Sequence, residues 1–424
     1  MRILSGAAAA TSVRKIASRG SRYAEVEPAV RRIIADVRRR GDRAVRKYAE
    51  RWDGLQRGTP LKVPEEEIQA AWKSARPDLK RALRAAAANI RRFCEMQKPR
   101  EWTRTRQGIS VGQIVRPLDS VGCYVPGGRY PLVSTLLMTV IPAQVAGVQN
   151  IGVASPQPQA DVLAAAAMLG VREVYRVGGA QAIAALAYGT ESIPRVDKIV
   201  GPGNLYVTAA KKQVAFDCSI DFLAGPTEVV VVSDAGSPEF IAGDLVAQAE
   251  HDPEALAVFI TTRRDLANQV ARCVTEFSKE NAIARQSIRR RGVILISASR
   301  QQSFDWANEI ASEHLTIDRV ADAALVRNAG SVFIGDYSPQ AAGDYASGPN
   351  HVLPTGGVAR FRGGLSVLDF VKLISVQKLS RPGLQRIAPV VELLANAEGL
   401  RAHAKSIRAR CGDPRCGNPR SGHV

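Results

Sequence analysis

Apolar positions in the first hundred residues recur at helical spacing. Val30, Ile33, Ile34 and Val37, then Val45 and Tyr48, fall on one face of a 3.6-residue period. Gly41-Asp42 interrupts the run and can cap a following helix. Residues 65–72 and 79–93 read as further amphipathic helices, with packing as their evident task. From about residue 109 the rhythm changes. Short β-rich runs at 121–125, 151–154, 173–177, 198–200, 219–223 and 228–233 alternate with helical runs at 131–146, 160–169, 180–188 and 204–215. That alternation predicts a parallel sheet with crossover helices. Residues 238–292 return to helical spacing, starting with 239–250. Residues 292–297 and 331–334 read as strands, with a helix near 304–311. The stretch 335–365 is rich in Gly, Pro, Ser and Asn, and a loop that long inside a folded chain points to function or disorder. Residues 366–410 read as terminal helices, before a Gly/Pro/Arg-rich end at 411–424.

Composition narrows the class. With 424 residues, 46% hydrophobic and 23% charged, the chain is globular, not collagen-like, mucin-like, disulfide-scaffolded or disordered. The longest uncharged stretch, 130–160, is broken by Pro142, Pro156 and Pro158, which argues against a membrane span. The N-terminal apolar run is short and followed by basic residues, against a secretory signal. Six scattered cysteines suit a reduced, cytoplasmic protein. The net charge of +18 is concentrated at the ends: residues 1–51 hold 14 Lys and Arg against 5 Asp and Glu, and residues 401–424 hold 6 against 1. Aromatics make up 5%, too few for a stacking nucleic-acid groove, so the expectation is no nucleic-acid partner and no membrane.

Candidate chemistry lies in the turns and around the five histidines. Glycine-rich turns occur at 126–128, 178–181, 201–204 and 225–228, where backbone N–H groups and helix N-termini could approach a pyrophosphate at the carboxyl ends of strands. No GxGxxG is present, so taken alone these turns read as ordinary tight βα connections more readily than as a cofactor site. Gln248 and His251 stand i, i+3 near a helix end, a spacing that presents two metal ligands side by side. Asp344 and His403 could complete an N/O shell, for which zinc is the first choice. The alternative is a histidine that answers the helix dipole. Glu313-His314 is a candidate acid/base pair, or else an exposed charged turn. Cys123 could trap an aldehyde, but a buried small apolar role is the better expectation. Cys411, Cys416 and His423 offer only three donors for a second metal.

The strings VGCYVPGGRYPLVST, VGGAQAIAAL, KIVGPGNLYVT, AGPTEV, QAEHDP, SEHL and GDYASGPNHVLPT, in this order, resemble the histidinol dehydrogenase family over residues 20–410. The resemblance implies an α/β fold of two Rossmann-like parallel-sheet domains, with an N-terminal helical region and a C-terminal helical extension in an intertwined homodimer. The implied layout is an arm at 1–20, one domain at 21–120 and 229–365, an NAD-binding domain at 121–228, and the extension at 366–424 reaching the partner subunit. The implied activity is zinc-dependent, NAD-linked oxidation of L-histidinol to L-histidine through L-histidinal, the last steps of histidine biosynthesis. By the same carry-over, Gln248, His251, Asp344 and His403 would hold one zinc per subunit, and Glu313 and His314 would act as acid/base residues. Thr227, His351 and Glu398 would contact substrate, joined by Gln248, His251, His314, Asp344 and His403. Tyr124, Gln181 and Asn204 would contact NAD. Thr227 stands where many relatives carry Ser, which keeps the hydroxyl. Other readings are the same scaffold acting on a sulfonated diol, against which Glu398 and His351 argue because a carboxylate suits an amine substrate, or a basic, non-enzymatic binding protein.

Overall fold

A computed structural model describes residues 1–20, 23–127 and 132–412. Among the described residues the strands are β1 (Arg2–Ser5), β2 (Trp102–Arg106), β3 (Ile109–Pro117), β4 (Ser120–Tyr124), β5 (Asn150–Ala154), β6 (Glu173–Tyr175), β7 (Lys198–Val200), β8 (Ser219–Ile220), β9 (Glu228–Val232), β10 (Leu256–Thr261), β11 (Val293–Ile296), β12 (His314–Ile317), β13 (Ser331–Ile334) and β14 (Val371–Leu379). They form three sheets. One runs β1-β11-β10-β9-β12-β13 and another β6-β5-β4-β7-β8, with every pair parallel. The third, β14-β3-β2, is antiparallel. The chain divides into two units: residues 1–98 with 118–370 hold both parallel sheets, and residues 99–117 with those from 371 on hold the antiparallel one. No helix among the described residues is long and apolar enough to cross a membrane.

Both parallel sheets are covered on two faces, which explains their sequences. Every residue of β9 and β10 is buried. Val229, Val231 and Phe259 pack on one side with Ile241, Leu245 and Val270, while Val230, Val258 and Leu315 pack on the other with Phe304 and Trp306. A strand buried on both faces has no apolar/polar alternation. That is why Leu256–Thr261 hides inside a stretch that otherwise reads as helical.

Several expectations are corrected. β10 interrupts 238–292, and β12 begins at His314, where only a helix end was expected. Residues 366–410 are not all helix: β14 precedes the helices Arg381–Ala397 and Arg401–Cys411. β2 is exposed throughout and β14 nearly so, which leaves no apolar face to signal a strand. β1 lies at the edge of the first sheet, paired with β11.

A buried ion pair braces the second sheet. The side chains of Lys211 and Asp221 are 2% and 0% exposed and in direct contact. Asp221 also accepts from the N–H groups of Gly201 at 2.8 Å and Phe222 at 2.6 Å, and Lys211 donates to the Gly201 carbonyl at 3.0 Å. Gly201 has φ +113°, and a Cβ there would run into the Tyr124 carbonyl. The pair therefore fixes the turn that follows β7. Removing one partner leaves a buried charge uncompensated. Lys211→Met should lower unfolding free energy by about 3–5 kcal/mol in urea denaturation; a loss within experimental error would show that the pair braces nothing.

Candidate functional site

The described part of the molecule presents two polar sites, both in the first unit. The first is a cleft of about 490 Å³ lined by Trp52, Asp53, Tyr124, Gln181, Asn204 and Tyr206, among others. Tyr124 ends β4, Gln181 lies in the first turn of the helix Gly179–Tyr188 after β6, and Asn204 caps the helix Leu205–Val214 after β7. Tyr124, Gln181 and Asn204 thus come together at the carboxyl edge of the second sheet, where open α/β sheets present ligand sites. Asn204 has a structural task as well, since its Oδ1 accepts from the N–H groups of Tyr206 and Val207 at 3.0 and 3.1 Å.

The glycine turns differ from the expectation in one respect: four of their N–H groups already have partners. Gly178 N–H donates to Asp53 Oδ2 at 2.9 Å, Gly179 N–H to the Tyr124 hydroxyl at 3.1 Å, Gly201 N–H to Asp221, and Gly225 N–H to Thr355. Two of the four acceptors are carboxylates. These amides are not open phosphate cradles. Gly128 of the first turn lies outside the described residues. Burial raises the Asp53 carboxyl, opposed by its bonds to Gly178 and Gln181, and burial pushes the Tyr124 phenol up to about 12.

The second site sits on the opposite kind of edge. His314 opens β12 directly after Glu313, and Glu228 opens the adjacent β9 directly after Thr227, so this cluster lies at the amino ends of the first sheet's strands. The fourth glycine turn leads into this edge rather than lining the carboxyl edge with the other three. The expectation of an exposed charged turn fails here: Glu313 is 8% exposed and His314 3%.

The hydrogen bonds fix each group's role. Gln340 Nε2 donates to Gln248 Oε1 at 3.2 Å, Gln248 Nε2 donates to the Thr227 hydroxyl, and that hydroxyl donates to Glu313 Oε2 at 2.5 Å. Glu313 Oε2 also accepts from Glu228 N–H at 2.9 Å. Among the described residues nothing bonds Glu313 Oε1. His314 Nδ1 lies 3.1 Å from the Glu228 carbonyl, which can only accept, so Nδ1 carries the hydrogen. Nε2 is then the basic nitrogen of the neutral ring. It is buried without a hydrogen-bond partner, 3.5 Å from Asp344 Oδ1, an ion-pair distance. Glu228 is locked in turn by Arg19, with contacts of 2.5 and 2.7 Å.

Electrostatics follow from burial. Desolvation raises the Glu313 carboxyl to about 7, even though His314 and the bonds from Thr227 and Glu228 favour its charge. Burial alone would lower His314, but Glu313 first, then Asp344 and the Glu228 carbonyl, outweigh it and raise the ring. Burial opposes ionisation of Asp344, yet His314 holds it below its ordinary value. His351 is lowered by burial; its Nδ1 donates to the Asp344 carbonyl at 2.7 Å, and its Nε2 lies 3.4 Å from Thr135 in the helix Val133–Ala146 that follows β4. His351 therefore joins the two sheets' halves of the first unit.

Gln248 belongs to the helix Pro238–Ala249, His251 follows it, and Asp344 sits on the helix Gln340–Tyr345. Gln248 Nε2 and Asp344 Oδ1 each come within 3.5 Å of the His314 ring, and His251 acts electrostatically on Asp344. Among the described residues no group of three His, Cys, Asp or Glu closes a metal shell alone. The expected set includes an amide, and its fourth member belongs to the second unit. In donor chemistry the three fit a borderline divalent ion and leave a ligand to be supplied. Glu398, which caps the helix Arg381–Ala397, and His403, on Arg401–Cys411, lie in the second unit. Cys123 is fully buried and its thiol is pushed up to about 12, which removes it as a nucleophile. Cys416 and His423 lie outside the described residues.

Sequence reasoning missed Asp53, Asp244 and Gln340. Asp244 stands four residues before Gln248 on one helix face, a signal that was there to be used, and burial raises its carboxyl to about 6. Gln340 is 1% exposed and also donates to the Asp244 carbonyl at 2.6 Å. Thr227 is the link on which this chain turns. Thr227→Val should cost about 1–3 kcal/mol in denaturant unfolding, by stranding Gln248 and Glu313, while Thr227→Ser should recover most of it. Equal losses in the two variants would show that the hydroxyl is not the link.

Residues 17–411 match the family model described as histidinol dehydrogenase. The chain is 49% identical over 394 residues to a histidinol dehydrogenase of Methanothermobacter thermautotrophicus, covering 90% of this chain and 92% of that one. It is 46% identical over 416 residues to that of Methanosarcina mazei, covering 94% and 95%. The crystal structure of histidinol dehydrogenase from Elizabethkingia anophelis superposes with a TM-score of 0.93 at 35% identity, covering 98% of this chain and 99% of that one. The chain therefore belongs to the histidinol dehydrogenase family, oxidoreductases of histidine biosynthesis.

Proposed function

We propose that this chain oxidises L-histidinol to L-histidine through L-histidinal, passing two hydrides to two NAD⁺. The observation that carries this reading is the buried Glu313–His314 pair, with His314 Nε2 facing Asp344 at 3.5 Å without a hydrogen bond and Glu313 Oε1 unbonded. His314 Nε2 takes the hydroxyl proton as the carbinol carbon gives up its first hydride. The product aldehyde is then hydrated: Glu313 Oε1 draws a proton from water, and loss of a second hydride from the hydrate leaves the carboxylic acid, which ionises. NAD⁺ supplies the hydride acceptor, and the cleft of Tyr124, Gln181 and Asn204 is the part of the surface that suits it. Burial of the pair keeps bulk water from the aldehyde between steps.

Zinc, when bound, would anchor the imidazole and amine nitrogens of the substrate. Gln248, His251, Asp344 and His403 would hold it, one ion per subunit. Thr227, His351 and Glu398 would contact the substrate, the Glu398 carboxylate opposite its ammonium group. Glu398 and His403 reach the site of a partner subunit in this proposal. A homodimer is supported by the second unit itself: Val390, Leu393 and Leu394 form an exposed apolar stripe on one helix, with Leu400 beyond it. A reduced, cytoplasmic enzyme fits a biosynthetic role.

Incubation with L-histidinol, NAD⁺ and zinc should yield two NADH per histidinol, and a folded, zinc-loaded protein that yields none would overturn the reading. His314→Ala should slow the first oxidation by about 10²–10⁴-fold. Glu313→Gln should spare that step and block oxidation of supplied L-histidinal. Because Glu313 must be ionised to accept a proton, aldehyde oxidation should rise as pH increases through about 7. A flat profile from pH 5 to 9 would remove Glu313 from that step.

A further inference from the structure

The cleft at the carboxyl edge of the second sheet has an unusual lining for a site meant to take a dinucleotide. Among the described lining residues Asp53 is the only charged side chain. It stands at the N-terminus of the helix Gly179–Tyr188, where backbone N–H groups and the helix dipole ordinarily favour a ligand's anion. Here that position is filled from within. Asp53 Oδ2 accepts from Gly178 N–H at 2.9 Å and from Gln181 Nε2 at 3.0 Å, and the Tyr124 hydroxyl accepts from Gly179 N–H at 3.1 Å. The room beside Gly178 is also closed, since a Cβ there would press on Pro156 and on Asp53 itself.

Which half of a dinucleotide enters this cleft follows from what does not line it. Glu313, His314, Asp344 and His351 are all absent from its walls. The reacting nicotinamide must approach His314, so the cleft receives the adenosine half. A phosphate added to the adenosine ribose would then enter a pocket whose one described charge has its own sign and whose helix terminus is already neutralised.

We propose that Asp53 is a specificity-determining residue: its carboxylate makes the cleft select NAD⁺ and reject a dinucleotide that carries a ribose phosphate, NADP⁺. The inference rests on the dinucleotide reading of this cleft. Asp53 also holds Gln181 in place, so the same side chain orders a wall of the cleft and sets its charge preference. Neither Trp52-Asp53 nor the Gly54 that follows carries a sequence motif, because Asp53 meets Gly178 and Gln181 across 125 and 128 residues of chain.

Calorimetric titration of the full-length protein with NAD⁺ and NADP⁺ at pH 8 tests the proposal. The unaltered chain should bind NAD⁺ at least about 100-fold more tightly than NADP⁺. Asp53→Asn keeps an oxygen acceptor for Gly178 and Gln181 and removes the charge. It should narrow the gap by about tenfold or more, through tighter NADP⁺ binding, and Asp53→Ser should shift it in the same direction. A third arm needs no variant: 2′,5′-ADP should displace NAD⁺ from the unaltered chain at least about tenfold less well than 5′-AMP. An unchanged gap in a folded variant, or equal displacement by the two adenosine fragments, overturns the role of Asp53 alone. No binding of NAD⁺ to the unaltered chain overturns the dinucleotide reading and this inference with it.

Discussion

A carboxyl group and an imidazole, both almost cut off from water, must share one pocket in this molecule. Glu313 and His314 are neighbours in the chain at the first residues of a central strand, and burial alone would drive each toward its neutral form. What keeps them usable is the set of partners assigned to particular atoms. One oxygen of Glu313 is taken by Thr227 and the Glu228 amide, and the other is left open. One nitrogen of His314 is tied to the Glu228 carbonyl, and the other faces Asp344 with no hydrogen bond. The proposed chemistry depends on that division of each group into a held end and a free end.

The fold supplies these partners by strand register. β9 and β12 are adjacent and parallel, with His314 level with Val229, so the residues just before the two strands meet at one sheet edge. The helix Pro238–Ala249 follows β9, and it brings Gln248 back over the same edge to reach Thr227. The cleft lined by Tyr124, Gln181 and Asn204 uses the other edge type, the carboxyl ends of the second sheet, and His351 with Thr135 connects the two. The proposed oxidation, which would move a proton at one place and a hydride at another, suits such a pairing of edges. In the second unit, the apolar stripe on the helix Arg381–Ala397 suits association with another copy.

Much of this was legible in the chain, for physical reasons that differ by region. The βα rhythm of 121–233 is visible because each strand is short and most of the helices start after a glycine turn. The helical run that carries Gln248 is visible by its spacing, while His251 falls just past the helix end rather than on its face. By contrast, β10 is hidden by its uniform burial, and β2 and β14 by their exposure, since period-2 alternation needs one wet and one dry face. The long stretch 335–365 looked structureless, yet it carries Gln340, Asp344 and His351 onto the site. Asp53 and Gln340 gave no signal because their partners are distant along the chain. In the glycine turns four amides are already bonded, to Asp53, Tyr124, Asp221 and Thr355, which spacing alone does not reveal.

The most direct test is the position of one proton. With five histidines in the chain, ¹⁵N-labelled imidazole resonances can be assigned by substituting His314 and observing which signals vanish. At a pH above that of its raised ionisation, His314 should carry its hydrogen on Nδ1, bonded to the Glu228 carbonyl, with an unprotonated Nε2. A neutral ring protonated on Nε2 would contradict the assignment of this nitrogen as the base.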